Sequence, residues 1–389
     1  MQLLNRDINS YYDKVYNFRE IFDRKTGFYM RTGILEPGPE RDPFMRSFPA
    51  LLDIGIMGGC KAASLGLCRA GGHTSGCYQG ARKYNPEKDM KFEDYKRIID
   101  EGAEKGLQQV ALGGAGNPND HKDFIEILKY TRSKGIIPNY TTAGIGLTDE
   151  MVRATKEYCG AVAVSWYYQD YTVAALNKFI EAGCKTSIHF VLSKETIQSV
   201  IDMLKYHQLI YNTQKGYIKP YSLERNKINA VIFLLYKPVG LGTKDNMLTL
   251  EEDNNKIKEF FSLVGSKEHP FKIGFDSCSI PAVLQFSDNI NEQSVDTCEG
   301  ARFSAYINSE MVMVPCSFDQ TLKWGVSLKD KTVEDAWNSK KFAAFRSHLF
   351  MSCPGCKNRE NCMGGCPIKN EIVLCNSKER KEMGIDFAA

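Results

Sequence analysis

LLDIGIMGGCKAASLGLCRAGGHTSGCYQG, residues 51–80, runs an apolar strand straight into a glycine-rich loop that carries Cys60, Cys68 and Cys77. Its first seven residues read as a buried strand. A segment with helical periodicity, FEDYKRIIDEGAEKG (92–106), follows the loop and closes at glycine. The same order of strand, loop and helix then repeats. QQVALGG (108–114) precedes DHKDFIEILKYTRSKG (120–135), and IIPNYTTAG (136–144) precedes TDEMVRATKEYC (148–159), with Thr148 as the expected N-cap. GAVAVSW (160–166) precedes YTVAALNKFIEAG (171–183). KTSIHFVLS (185–193) precedes KETIQSVIDMLKYH (194–207), with Ser193 as the expected cap. INAVIFLLYKP (228–238) precedes LEEDNNKIKEFFSLVG (250–265). Six β/α units in a row predict a parallel sheet with helical crossovers, as a partial barrel or a doubly wound sheet. In either case the chemistry belongs at the carboxyl ends of the strands. The cysteine loop, Gly113, Gly114 and Ser165 are therefore expected on one rim.

The chain has 389 residues, enough for a barrel and a smaller module. Its net charge of +3 comes from mixed signs, so no nucleic-acid footprint is expected. The longest apolar run, near 230–236, is too short to span a membrane. The polar start, MQLLNRDINSYYDKVYNFRE, has no apolar signal core, and a cytoplasmic location is expected. Thirteen cysteines in a reducing compartment point to metal or cluster ligation rather than disulfides. Cys159 and Cys184 stand apart from the rest and read as buried apolar residues. Residues 1–48 read as a polar N-terminal extension of unreadable role, and 208–227 as a surface loop.

After Gly265 the β/α alternation gives way to short strands, turns and cysteines. The division expected is a barrel over 49–270, a cysteine-rich module over 271–375 and a tail over 376–389. Eight cysteines lie between Cys278 and Cys375, four of them in CPGCKNRENCMGGCP (353–367), spaced C-x2-C-x5-C-x3-C. Thiolates in such number hold zinc or iron–sulfur clusters, and eight suffice for two sites of either kind. Two zincs would make this a metal-stabilised binding protein without redox chemistry.

The run Cys353, Cys356, Cys362, Cys366, preceded by Cys298 and Cys316 and followed by Cys375, resembles the SPASM domain. That domain follows the catalytic barrel of many radical S-adenosylmethionine (SAM) enzymes. The segment YINSEMVMVPCSF resembles the family's strand–turn–strand before its third ligand. Met311 stands where the family has a glycine, so a turn of different shape is expected. The resemblance implies a partial (β/α)6 TIM-type barrel followed by a small SPASM-like domain binding two auxiliary iron–sulfur clusters. Cys278, Cys298, Cys316 and Cys366 would hold one [4Fe–4S] cluster, and Cys353, Cys356, Cys362 and Cys375 the other. Cys278 lies farther from Cys298 than in the best-known members.

By the same resemblance, Cys60, Cys68 and Cys77 would hold a third [4Fe–4S] cluster whose free iron binds SAM. Their spacing, C-x7-C-x8-C, departs from the family's C-x3-C-x2-C, and Tyr78 follows the last cysteine rather than preceding it. Gly113 and Gly114 stand where the family binds the SAM amino group. Ser165, His189 and Leu235, at or near strand ends, would also face SAM, with Tyr78 beside the cluster. Asp319 and Asp276 are the candidate bases beside the first auxiliary cluster. The implied activity is reductive cleavage of SAM to a 5′-deoxyadenosyl radical and hydrogen abstraction from a peptide or, alternatively, a small molecule. An electron donor such as flavodoxin or ferredoxin is implied as partner. Residues 1–48 are short for the winged-helix peptide-recognition domain of many such maturases.

Overall fold

The structure, a computed structural model, describes residues 7–33, 44–67, 76–80, 82–266, 268–291, 294–351 and 353–377. Cys68 lies outside the described residues. The N-terminal extension forms a three-stranded antiparallel sheet of β1 (Ile8–Asp13), β2 (Phe18–Asp23) and β3 (Tyr29–Gly33). Only β2 alternates cleanly between buried and open positions, which is why the sequence pattern alone left the segment unread. Two ion-pair systems fix this sheet to the body. Glu20 meets Arg46 at 3.1 Å with both side chains fully buried, and accepts a 2.8 Å hydrogen bond from Gln108 Nε2. Arg31 pairs with Asp296 and Glu299, next to Cys298.

The body is a parallel sheet. In chain order its strands are β4 (Leu51–Ile54), β5 (Gln109–Leu112), β6 (Ile137–Thr142), β7 (Val162–Ser165) and β8 (Thr186–Leu192). A hairpin of β9 (Gln208–Asn212) and β10 (Ile218–Ser222) intervenes where the sequence suggested a loop, before β11 (Ala230–Leu235) and β12 (Lys272–Phe275). The order across the sheet is β12-β11-β8-β7-β6-β5-β4, every neighbour parallel. Parallel neighbours require crossovers, and helices such as Phe92–Lys105 supply them. That helix buries Tyr95, Ile98, Ile99 and Gly102 at i, i+3, i+4 and i+7, and ends at Gly106 with φ 84°. The helix Ile197–Tyr206 starts three residues after the predicted start, because Thr196 rather than Ser193 ends the turn before it.

Burial alternates along these strands. Leu52, Ile54, Val110, Leu112, Ile188 and Phe190 are essentially inaccessible and belong to the apolar core. The intervening positions, among them Asp53, Gln109, Asn139, Thr141 and His189, are only partly buried and touch one another across strands. The sheet thus has an apolar face toward its helices and a polar face toward the lumen of a partial barrel.

The cysteine-rich module does not break from this sheet. Strand β12 and the helix Ile280–Phe286 make a seventh parallel β/α unit inside the stretch read as the start of the second module. The strand is four residues long and half-buried, too short to register as a periodic element. On the far side, β13 (Ser304–Ile307) pairs parallel with β4, and β14 (Val312–Val314) and β15 (Val326–Ser327) follow antiparallel. The turn between β13 and β14 keeps the left-handed backbone that glycine favours, because Met311 itself adopts φ 62° with its side chain buried. Trp337, fully buried, donates to Arg46 O at 2.9 Å and closes the module onto the barrel base.

Candidate cluster and cofactor site

The cysteine loop leaves the end of β4, and its described residues, 58–67 and 76–80, sit at the rim of the barrel. Cys60 opens the short helix Lys61–Ser64, and its sulfur accepts a 3.3 Å hydrogen bond from Ala63 N. Its backbone is tied to Arg82 O at 2.9 Å. Cys60 also lies against the loop after β5, where a methyl on Gly116 would stand 2.4 Å from Gly59 O and 3.2 Å from Cys60 Cα. At the other end of the loop, Cys77 O accepts from Leu241 N at 3.0 Å, beyond the end of β11. Two of the three predicted cysteines are thus placed at the rim, Cys60 beside the loop after β5 and Cys77 beside the loop after β11.

Beneath the loop the predicted SAM-side residues fall into distinct settings. No heavy atom would meet a methyl on Gly113 within 4 Å, so this position borders open space. Gly114 has φ 93°, and a methyl there would meet Tyr306 Oη at 2.5 Å, so glycine is required on two counts. Ser165 and His189 are register partners on β7 and β8, and His189 Nδ1 lies 3.4 Å from Thr141 Oγ1. Burial pushes the His189 imidazole down to about 4, against the pull of Asp276. Leu235 ends β11, where its N–H and carbonyl engage Asp276 and Lys237 respectively.

The module's cysteines gather in two groups. Cys278, in the turn after β12, has its thiol pushed well up by a hydrogen bond to Cys366 and by burial. Burial pushes Cys298 up to about 12, with Cys278 adding to it, and burial, Cys278 and Cys298 together raise Cys316. Four sulfurs from β12, the segment before β13, the end of β14 and the C-terminal run therefore share one buried space. Cys362 is pushed up to about 12, first by burial and then by Cys375, Cys353 and Cys356, which marks the second group. Gly365, φ 85°, lies against Val373 between them.

Among the described residues no three Cys, His, Asp or Glu side chains close on a single-ion position. Sulfurs around one zinc stand about 3.8 Å apart, given Zn–S of about 2.3 Å.

The two candidate bases are both engaged. Asp319 is buried, and its carboxylate accepts from Thr321 Oγ1, Lys323 N and Trp324 N at 3.0–3.1 Å, capping the turn after Cys316. Asp276 pairs with Lys237 at 2.6 Å and accepts from Ser279 Oγ at 2.9 Å. Three residues were not singled out from the sequence. Asp53 faces the lumen from β4, and burial pushes its carboxyl up to about 7. The signal was one acid in an apolar strand. Phe318 stacks on Tyr78 at 4.8 Å between ring centroids, joining the cysteine loop to the Cys316 segment. Lys237 is buried over the Phe318 ring, and its signal was a lysine directly after FLLY. A cavity of about 520 Å³ opens between the cysteine loop and the β13–β14 turn, bordered by Met57, Gln79, Arg82, Ala115, Tyr306 and Asn308. Cys159 is pushed up by burial and packs on the core, and Cys184 likewise.

The profile of the SPASM domain, an iron–sulfur cluster-binding domain, matches residues 298–363. The tungsten-containing aldehyde ferredoxin oxidoreductase cofactor-modifying protein of Pyrococcus furiosus is 23% identical over 310 residues, 71% of this chain and 81% of that protein. The PqqA peptide cyclase of Granulibacter bethesdensis is 22% identical over 303 residues, 72% of this chain and 74% of that protein. The solved structure of Streptococcus suis SuiB bound to precursor peptide SuiA matches with a TM-score of 0.69 at 14% identity, covering 98% of this chain and 100% of that one. No helix among the described residues is long and apolar enough to cross a membrane.

Proposed function

We propose that the chain is a radical SAM enzyme with a C-terminal SPASM domain, that it modifies a peptide and that it holds three [4Fe–4S] clusters. Cys60, Cys68 and Cys77 hold the SAM-binding cluster, three ligands leaving one iron for the amino and carboxylate groups of SAM. Cys278, Cys298, Cys316 and Cys366 hold the first auxiliary cluster, and Cys353, Cys356, Cys362 and Cys375 the second. On one-electron reduction the bound cofactor supplies a 5′-deoxyadenosyl radical that takes a hydrogen atom from an unactivated C–H bond.

The observation that carries this reading is the seat of the cysteine loop. Cys60 lies against the loop after β5, Cys77 is bonded to the loop after β11, and Tyr78 meets Phe318 of the Cys316 segment. Chain groups then do the positioning. Gly113 leaves room for the cofactor at the end of β5. Ser165, Thr141 and His189 offer hydroxyl and imidazole groups, with the imidazole neutral at working pH. Tyr78 and Phe318 keep water from the space between the two cysteine sites.

A peptide substrate is supported by the peptide named for the Granulibacter cyclase and by the one bound to SuiB. The cavity beside the β13–β14 turn is open enough to admit one. The name of the Pyrococcus relative, which modifies a cofactor, favours a small-molecule substrate as the second reading.

The test is anaerobic reconstitution followed by metal and product analysis. About twelve irons with matching sulfide are expected. Replacing Cys60, Cys68 and Cys77 by alanine removes about four of them and abolishes 5′-deoxyadenosine formation. Zinc in place of iron, or a count unchanged by the triple replacement, overturns the assignment. Mass spectrometry of ligand retained from the expression host separates the two substrate readings.

A further inference from the structure

We propose that the buried Lys237–Asp276 pair sets the reduction potential of the first auxiliary cluster, with Lys237 as the cation that favours its reduced form. The inference rests on reading Cys278, Cys298, Cys316 and Cys366 as ligands of that cluster.

Lys237 is an unusual residue to bury. Its side chain is 1% exposed, and an ammonium is taken out of water only where partners replace its hydration. Here it has three. Nζ donates to Asp276 Oδ2 at 2.6 Å and to Leu235 O at 2.8 Å, and lies 4.3 Å from the centroid of the Phe318 ring. Asp276 does not need the lysine to be held in place, because Ser279 Oγ and Leu235 N also donate to it. The ammonium sits where three segments meet. These are the end of β11, the turn after β12 that carries Cys278, and the Cys316–Phe318 segment. Its partner Asp276 stands two residues before Cys278, and the Phe318 ring beneath it two residues after Cys316. At Cys298 the cation Arg302 and the anion Glu299 act in opposite directions.

The second group of cysteines differs. At Cys362 the leading influences are burial, the backbone N–H of Gly364 and its three sister cysteines. Reduction adds an electron, and a fixed positive charge in a poorly screened interior stabilises that added charge. Lys237 acts through the cluster's environment and is a positioning residue.

The test uses the full chain, reconstituted anaerobically, with Cys60, Cys68 and Cys77 replaced by alanine so that only the auxiliary clusters report. Redox titration followed by electron paramagnetic resonance gives their midpoints. Lys237→Met leaves Asp276 as an uncompensated anion and moves one midpoint to a more negative value. Asp276→Asn leaves the lysine uncompensated and moves the same midpoint the opposite way. Lys237→Arg keeps it near the starting value. Opposite shifts are a signature that loosened packing does not produce. If Lys237→Met fails to load iron, Asp276→Asn and Lys237→Arg still decide the sign. Loaded variants whose midpoints stay put, or move in one direction together, overturn the inference. A Cys298→Ala, Cys316→Ala variant that loses no iron overturns the ligand reading itself.

Discussion

The cysteine loop and the C-terminal module place sulfur in opposite ways. The loop hangs between two backbone anchors, Cys60 on Arg82 and Cys77 on Leu241, and its cysteines belong to one stretch of chain. The module draws its first group from separated segments and its second from the single run 353–375. Cys278 follows a barrel strand, Cys298 and Cys316 flank β13 and β14, and Cys366 comes from the C-terminal run that also supplies Cys353, Cys356 and Cys362. A cluster in the loop closes one short excursion. A cluster in the module ties together separate segments that also pack on the apolar core through Trp324, Trp337, Phe342 and Phe345. Metal and fold should be coupled in the module and nearly independent in the loop.

The sharpest way to break that comparison is thermal unfolding under argon, followed by circular dichroism. The Cys298→Ala, Cys316→Ala variant is expected to unfold on the order of 10 °C below the parent. The triple loop variant is expected to stay within about 3 °C, with its 5′-deoxyadenosine formation gone. Equal losses in both would make the loop structural.

The next effect tests how the module holds its Cys316 turn. Asp319→Ala removes three hydrogen bonds to a buried carboxylate and should cost about 3 kcal/mol or more in denaturant unfolding. Asp319→Asn, which keeps an acceptor oxygen, should cost less. Turnover abolished in a stable Asp319→Asn enzyme would make the residue a base instead.

A smaller effect sharpens the picture of the lumen. His189 has its pKa lowered by burial from 6.5 to about 4 in the folded state. Between those values the unfolded chain binds more protons, so stability rises with pH. The contribution is full above about 6.5 and is lost as pH falls through about 4, up to about 3 kcal/mol. His189→Gln should flatten the unfolding free energy across that window. A slope that survives the substitution assigns the effect to another group.

Much of this was legible in the residues. The helices before Gly106, Gly135 and Gly183 end at those glycines, and Thr148 caps its helix by accepting from Met151 N, whereas the helix expected to close at Gly265 runs on to Ser266. What escaped reading has physical causes. Strand β12 is too short for periodicity to reveal, so the seventh unit was assigned to the module. Met311 was expected to reshape its turn, yet pairing of β13 with β14 holds it in the left-handed region. Asp319 and Asp276 were candidate bases on proximity in sequence, and only the packed structure shows what their oxygens accept.

By itself the sequence determined the alternation of strand and helix, the rim on which the cysteine loop sits, and the supply of sulfur, because periodicity and residue type are local properties. Only the tertiary structure decided which sulfurs share a space, that β13 extends the barrel sheet beside β4, and that Lys237 is buried with Asp276 between them. Those are meetings of segments up to hundreds of residues apart, set by strand register and packing, and no local pattern encodes them.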